Sequence, residues 1–452
     1  MKIALFGGSF NPPGSHHREI AARLAKDFDQ VIILPCGPRP DKPLINDVEP
    51  IYRAAMVDMA FRGMDKVSVD LFDLESATFT RTNHIEEMFR DRGELWHVIG
   101  ADLVKDGAQG ESPIQRQWVH GHDIWKKFHW IVITRPGYPL EKKDLPPQSK
   151  LYEIEYPTSS SEIRDRLFKR QPTDDLLFTD VLKYIERHGL YRGNRPNRSL
   201  QFVIENPRPM YIVDEYNSEA QRIAASFPSM PSENPNMLVV VGGDGSMLRA
   251  IRKYWRMRLP FYGVNAGHLG FLLNDRTPGF STGHALTLHQ LPLVRVEIET
   301  ESGEKRSDVA FNDAWVERAT GQTAWIRVSV GGQVRINQLM ADAALVSTAA
   351  GSASYARAMG AQPMPLNTSA LLLVGSNVLK PIGWKAAVLP LHAEIQFDCL
   401  DEKKRPLNAY IDGVPQGRIR KFNARISNTA AVELLFEPEH DPAEKLARIQ
   451  FT

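Results

Sequence analysis

The stretch Arg192-Gly193-Asn194-Arg195-Pro196-Asn197-Arg198 carries no large apolar residue, so it cannot contribute to a core. A chain interrupted in this way folds as separate units: the reading is one domain over 1–192, a linker over 193–199 and a second domain over 200–452. Each side of the break opens on the same local grammar. A short apolar run enters a glycine-rich loop, and a helical pattern follows. Before the break, strands are predicted at 3–6, 31–34, 96–99 and 130–134. Helices are predicted at 18–27, 53–61 and 179–189, the last with Gly189 as its C-terminal stop. Strands alternating with helices imply βαβ units and a mostly parallel, Rossmann-like sheet. After the break, strands at 202–204, 211–213 and 238–241 begin a new α/β cycle. Beyond about residue 291, alternating valine-rich runs at 294–298, 324–330 and 393–397 predict a β-rich lobe. The fold class is therefore α/β: a small α/β lobe (about 200–290) and a β-rich lobe (about 291–452) follow the first domain.

Length allows two to four domains in 452 residues. With 55 basic against 54 acidic residues, the chain is not a strongly basic nucleic-acid binder. Two cysteines make no disulfide framework, which points to a reducing cytoplasm. The sequence has no apolar run of the roughly 18 residues that suggest a membrane span.

The first loop, Gly7-Gly8-Ser9-Phe10-Asn11-Pro12-Pro13-Gly14-Ser15-His16-His17, lies between a strand and a helix. Glycines bring backbone N–H groups close to phosphate, and a histidine at the helix start can donate to phosphate oxygens. Taken alone it could equally be a tight turn with surface histidines. Ser159-Ser160-Ser161-Glu162-Ile163-Arg164 opens another helix, as a capping box or as a serine–arginine phosphate contact. Together with Arg53-Ala54-Ala55-Met56, Phe79-Thr80-Arg81-Thr82, Gly100-Ala101-Asp102 and Arg135-Pro136-Gly137, these segments resemble the nicotinate/nicotinamide mononucleotide adenylyltransferase family over about residues 1–190. The family pattern has histidine where this chain has Gly14 and glycine where it has His16. Its Pro-Pro-His-Lys segment stands here as Arg39-Pro40-Asp41-Lys42. The resemblance implies ATP phosphates held by Gly7, Gly8, Ser9, Phe10, His16, Lys42, Ser159, Ser160 and Arg164. It implies His17 as the catalytic imidazole and a pyridine mononucleotide near Thr80, Asp102 and Trp118. Around Trp118 the histidines 120, 122 and 129 come without cysteine or a tetrahedral set, so they are read as polar surface positions and not as a metal site.

The second loop, Gly242-Gly243-Asp244-Gly245-Ser246, sets one carboxylate among glycines; alone it could be a turn with a capping aspartate. It is followed by Gly263-Val264-Asn265-Ala266-Gly267-His268-Leu269-Gly270-Phe271-Leu272, then Asn312-Asp313, then Ser347-Thr348-Ala349-Ala350-Gly351-Ser352-Ala353-Ser354-Tyr355, and finally Asp412-Gly413. In this order the segments resemble NAD kinase over about residues 200–452. Departures are Asp313 for glutamate, Ala349-Ala350 for Pro-Thr, Ala353 for Thr and Met359-Gly360-Ala361 for Ala-Gly-Gly. The resemblance implies Asp244 as the base, dinucleotide contacts from Asn312, Asp313, Ser354, Tyr355 and Asp412, and ligand contacts from Gly242, Gly243, Gly245, Asn265, Gly267 and Phe271. It further implies ATP as co-substrate with Mg²⁺ and a symmetric homo-oligomer.

The two resemblances describe consecutive steps, the synthesis of a pyridine dinucleotide and its 2′-phosphorylation. A nicotinate product would need amidation between them. The alternative is a kinase whose first domain is degenerate and serves as a nucleotide sensor. A regulatory dinucleotide-binding protein lacking both activities is a third reading, opposed by the intact loop from Gly242 to Gly245.

Overall fold

The computed structural model describes residues 1–39, 48–134, 140–154, 158–193, 196, 198–227, 234–267, 270–275, 283–438 and 442–451. Lys42, the segment from Arg135 to Gly137, and His268 lie outside the described residues. Two compact units divide the chain, Met1–Pro196 and Asn197–Thr452.

In the first unit the strands are β1 (Lys2–Gly8), β2 (Gln30–Pro35), β3 (Val67–Val69), β4 (Glu94–Gly100), β5 (His129–Ile133) and β6 (Ser149–Tyr152). The helices are α1 (Ser15–Asp27), α2 (Pro50–Phe61), α3 (Phe72–Ser76), α4 (Thr82–Phe89), α5 (Pro113–Gln117), α6 (Gly121–Lys127), α7 (Ser160–Phe168) and α8 (Thr179–His188). The strands form one parallel sheet in the order β3-β2-β1-β4-β5-β6. Its central strands are apolar at nearly every position because helices cover both faces; Ile3, Val31, Ile33 and Trp130 are fully buried. Helix α1 presents Ile20, Ala21 and Leu24 to the sheet. Strand order reverses between β1 and β4, which opens a crevice beyond their C-terminal ends, where this architecture binds ligands. Gly8 ends β1 and Gly100 ends β4, so both expected motifs border that crevice. The edge strands β3 and β6 carry only partly buried or exposed residues and leave no apolar run to read.

In the second unit the strands are β7 (Ser199–Val203), β8 (Pro209–Val213), β9 (Met237–Gly242), β10 (Phe261–Asn265), β11 (Ala285–Thr300), β12 (Lys305–Ala310), β13 (Asp313–Arg318), β14 (Ala324–Val330), β15 (Gln333–Ala341), β16 (Ala343–Ser347), β17 (Ala370–Ser376), β18 (Ala387–Pro390), β19 (Ile395–Cys399), β20 (Leu407–Ile411) and β21 (Val414–Phe436). The helices are α9 (Ser218–Ala224), α10 (Asp244–Tyr254), α11 (Tyr355–Ala358) and α12 (Pro442–Phe451). Strands β8, β9 and β10 are parallel, and β10 continues in parallel onto the end of β21. The β-rich part is antiparallel, with Val294, Val296, Val316, Ile326, Val328 and Phe397 pointing alternately into one core. Strand β11 begins at Ala285, before the fading of the helical pattern, and runs across both parts of the unit. Among the described residues no helix is long and apolar enough to cross a membrane.

Candidate functional site

The first site is built on the loop between β1 and α1. Phe10 adopts a left-handed backbone conformation (φ 43°), and its side chain is wholly buried against Phe6, Phe61 and His17. Its ring therefore anchors the loop, and only its backbone can face a phosphate. Gly14 caps α1, and its N–H donates to Nδ1 of His17 at 3.0 Å. With Nδ1 accepting, a neutral His17 ring carries its proton on Nε2. His16 lies against His17, with centroids 3.9 Å apart and planes tilted by 37°, and is buried.

Side chains from elsewhere in the unit fix this loop by its carbonyls. The Arg53 guanidinium, buried in α2, donates to the carbonyls of Ser9 (2.5 Å) and Cys36 (2.8 Å). Arg164 donates to the Asn11 carbonyl at 2.7 Å, and Ser160 Oγ to that of Pro12 at 2.9 Å. Ser159 caps α7 by accepting the Glu162 N–H. Tyr191 Oη donates to Asn11 Oδ1 at 2.5 Å. The capping reading of the α7 motif is seen in Ser159, while Ser160 and Arg164, expected at a phosphate, bond carbonyls of the glycine loop.

Thr80 is half-buried, and its N–H donates to Oδ1 of Asp73 at 2.9 Å, while Oδ2 of Asp73 takes the N–H of Gly37. Asp73 was not singled out in the sequence because it looks like any surface-helix acid; in the fold it is buried and ties the end of β2 to the Thr80 segment. Asp102 follows β4 and is half-buried. Trp118 packs edge-on against Trp130 in a core cluster. His120 and His122 are exposed, and among the described residues no group of three or more His, Cys, Asp or Glu could hold a metal ion.

The second site lies at the C-terminal ends of β8, β9 and β10. Gly242 permits a close crossing: a β-carbon there would stand 2.6 Å from Ser246 Oγ and 3.1 Å from Asp214. Ser246 donates to the Asp214 carboxylate, which Arg249 also approaches at 3.1 Å. Gly243 caps α10 and Gly245 lies in its first turn. Asp244 accepts the N–H of Phe271 at 3.0 Å and of Leu272 at 2.9 Å. Burial raises its carboxyl above the ordinary range, partly offset by those two amides and by Lys445. Asn265 shapes the same loop, accepting the Gly267 N–H and donating to Asp275. Lys445, buried in α12, donates to the carbonyls of Gly270 and Leu273 and contacts Asp275.

Asn312 and Asp313 sit in a turn lashed from two sides. Asp412 accepts the N–H groups of Phe311 (2.8 Å), Asn312 (2.9 Å) and Asp313 (3.2 Å). Thr348 Oγ1 donates to the Phe311 carbonyl at 2.7 Å, and Gly351 crosses so closely that a β-carbon would stand 2.2 Å from the Asn312 carbonyl. Asp412 was expected to line the pocket; its oxygens accept these three backbone amides and so position the neighbouring pair. Asn312 Oδ1 and Asp313 Oδ2 are buried acceptors with no hydrogen-bond partner. Burial and the Asp412 carboxylate push Asp313 up to about 7. Ser354 and Tyr355 are exposed, and Tyr355 leans on Trp315, itself stacked on Tyr410 with centroids 4.9 Å apart.

Comparison with known proteins assigns both units. Residues 5–166 match the cytidylyltransferase-like family, and residues 198–278 match the ATP-NAD kinase N-terminal domain. The NAD kinase of Rickettsia bellii is 32% identical over 240 residues, spanning 52% of this chain and 93% of that protein. The NAD kinase of Rickettsia peacockii is 34% identical over 221 residues, spanning 48% of this chain and 87% of that protein. Among solved structures, yeast NADH kinase complexed with NADH overlaps with a TM-score of 0.43 at 13% identity, covering 79% of this chain and 87% of that one.

Proposed function

Because the chain belongs to the NAD kinase family through its second unit and carries a cytidylyltransferase-like first unit, we propose that it performs two consecutive transfers from ATP: adenylyl transfer to a nicotinate or nicotinamide mononucleotide, and phosphorylation of NAD at its 2′-hydroxyl.

In the first step a mononucleotide phosphate oxygen attacks the α-phosphorus of ATP, and the bond to pyrophosphate breaks. The nucleophile is already anionic, so positioning and charge neutralisation suffice. The Nε2–H of His17, the N-terminus of α1 and the amides of Gly7, Gly8 and Ser9 would meet the phosphates. Arg53, Ser160 and Arg164 hold that loop in place through its carbonyls. Thr80, Asp102 and Trp118 would face the mononucleotide.

In the second step the ribose 2′-oxygen attacks the γ-phosphorus, ADP leaves, and the hydroxyl proton passes to Asp244. Each Asp244 oxygen accepts one backbone N–H and keeps a lone pair for that hydroxyl. Its raised pKa makes it a stronger base than a surface carboxylate. The observation that carries the reading is the pair of orphaned acceptors, Asn312 Oδ1 and Asp313 Oδ2, held beside each other by Asp412. A buried acceptor without a partner costs about 1–3 kcal/mol, a cost that the hydroxyl and amino donors of a dinucleotide would offset. Ser354 and Tyr355 would border the same ligand. Mg²⁺ bound to the ATP phosphates would offset their charge.

Incubation of the purified protein with Mg-ATP and either mononucleotide, followed by chromatography, tests both steps. Nicotinamide mononucleotide is expected to yield NAD and then NADP. Failure to form a dinucleotide from either mononucleotide overturns the first assignment and favours the nucleotide-sensor reading. Failure to phosphorylate supplied NAD overturns the second.

A further inference from the structure

Asp412 stands in the left-handed backbone region (φ 45°), where a residue with a side chain stays only if its surroundings hold it. The peptide that precedes it is gripped on both edges. Its N–H donates to the Asp313 carbonyl at 2.9 Å, and its C=O, that of Ile411, accepts Nη1 of Arg252 at 2.5 Å. The C=O and N–H of a trans peptide point in opposite directions, so the guanidinium and the Asp313 backbone fix one plane between them. Arg252 lies in α10, the helix that begins with Asp244. We infer that Arg252 is a positioning residue for the second transfer, a strut that sets the turn of Asn312 and Asp313 at a defined place relative to the base. The inference rests on the kinase reading.

The Arg252 contact is directional where the packing around it is not. Met247, Ala250 and Ile251 of α10 share an apolar cluster with Phe311, which precedes the Asn312–Asp313 turn. Apolar burial holds helix and turn together without fixing their register, because it has no preferred direction. The guanidinium supplies the register: it reaches from α10 to the end of β20 and, through Nη2 at 3.5 Å, to Asp308 on β12. Its charge acts on the same turn. Burial raises the Asp412 carboxyl, while the three amides and Arg252 oppose that rise and favour the ionised form that collects those amides. Arg252 thus governs the turn by two routes, the Ile411 carbonyl and the Asp412 charge. Neither route requires it to touch the substrate.

In the full-length protein, Arg252→Met keeps the aliphatic stem and removes the strut. The kcat for phosphorylation of supplied NAD should fall ~10²-fold, the loss that a misplacement of about 1 Å brings. The KM for ATP should stay within about twofold. Arg252→Lys, which can still reach the Ile411 carbonyl, should recover to within about tenfold of the parent. The decisive comparison repeats Arg252→Met in an Asp244→Asn background, with radiolabelled ATP to read the residual transfer. With no base left to align, the substitution should now cost less than about threefold. A residue that only stabilises the fold would cost the same factor in both backgrounds, and that outcome overturns the inference. So does an Arg252→Met protein with unchanged kcat. If Arg252→Met does not fold, Arg252→Lys is compared in the same two backgrounds by the same criterion. A parent protein that leaves supplied NAD unphosphorylated overturns the kinase reading itself and takes the inference with it.

Discussion

Asp313 and Asp412 exchange backbone contacts across the pairing of β13 with β20, yet their carboxylates fare oppositely. Asp412 N–H donates to the Asp313 carbonyl at 2.9 Å, and the Asp412 carboxylate collects three amides, while Oδ2 of Asp313 has no partner. Burial and the neighbouring negative charge raise Asp313 to about 7, against about 3.9 in an unfolded chain. The folded state therefore binds the proton more tightly. The resulting stabilisation is complete below about pH 4 and is lost as pH rises through about 7. Thermal unfolding of the unliganded protein should shift to lower temperature between about pH 5 and pH 8, and Asp313→Asn should flatten that slope. An unchanged slope in the variant would place the titration elsewhere.

Asp244→Asn should abolish the second transfer selectively. The amide oxygen can still accept one of the Phe271 and Leu272 amides, so the loop stays folded, but the base is gone. Phosphorylation of NAD should fall by about 10²–10⁴-fold, while dinucleotide synthesis continues and NAD accumulates. NADP formation at full rate would remove Asp244 as the proton acceptor.

Lys445 acts through the loop that holds Asp244. Its ammonium bonds the carbonyls of Gly270 and Leu273 on either side of the amides that Asp244 accepts. Lys445→Met should loosen this loop, with a stability cost of about 1–3 kcal/mol for the stranded carbonyls. We expect faster amide exchange at Phe271 and Leu272 and a lower rate of NAD phosphorylation, with Lys445→Arg intermediate. Exchange rates equal to those of the parent would show that the lysine is not what secures the loop.

His17→Ala should act on the other unit alone. Removing the Nε2–H donor should lower dinucleotide synthesis by about 10²–10³-fold and leave phosphorylation of supplied NAD intact. Loss of both activities would instead mean that the substitution unfolds the chain.

The sequence was most informative where apolar runs met glycines. The runs at 3–6 and 238–241 became the buried strands β1 and β9, because a parallel strand covered on both faces must be continuously apolar. It was least informative where a polar residue serves the backbone. Phe10 reads as a phosphate-loop residue, and its buried ring also anchors the core; Asp412 reads as a ligand contact, and its oxygens also clamp backbone amides. Asp73, Thr348 and Lys445 were not singled out at all. Their partners are amides and carbonyls far away in sequence, and a backbone group leaves no mark in the amino-acid code.

Strands β11 and β21 pair antiparallel from Thr287 with Phe436 to Thr300 with Ile419, passing from the α/β part of the second unit into its β-rich part. The ladder breaks step between Pro292 and Val294, where the partner skips from Ala431 to Ile426. The two strands form a single bent girder shared by both parts of the unit. Prising the halves apart would shear backbone hydrogen bonds along that girder, so a jaw-like opening is mechanically disfavoured.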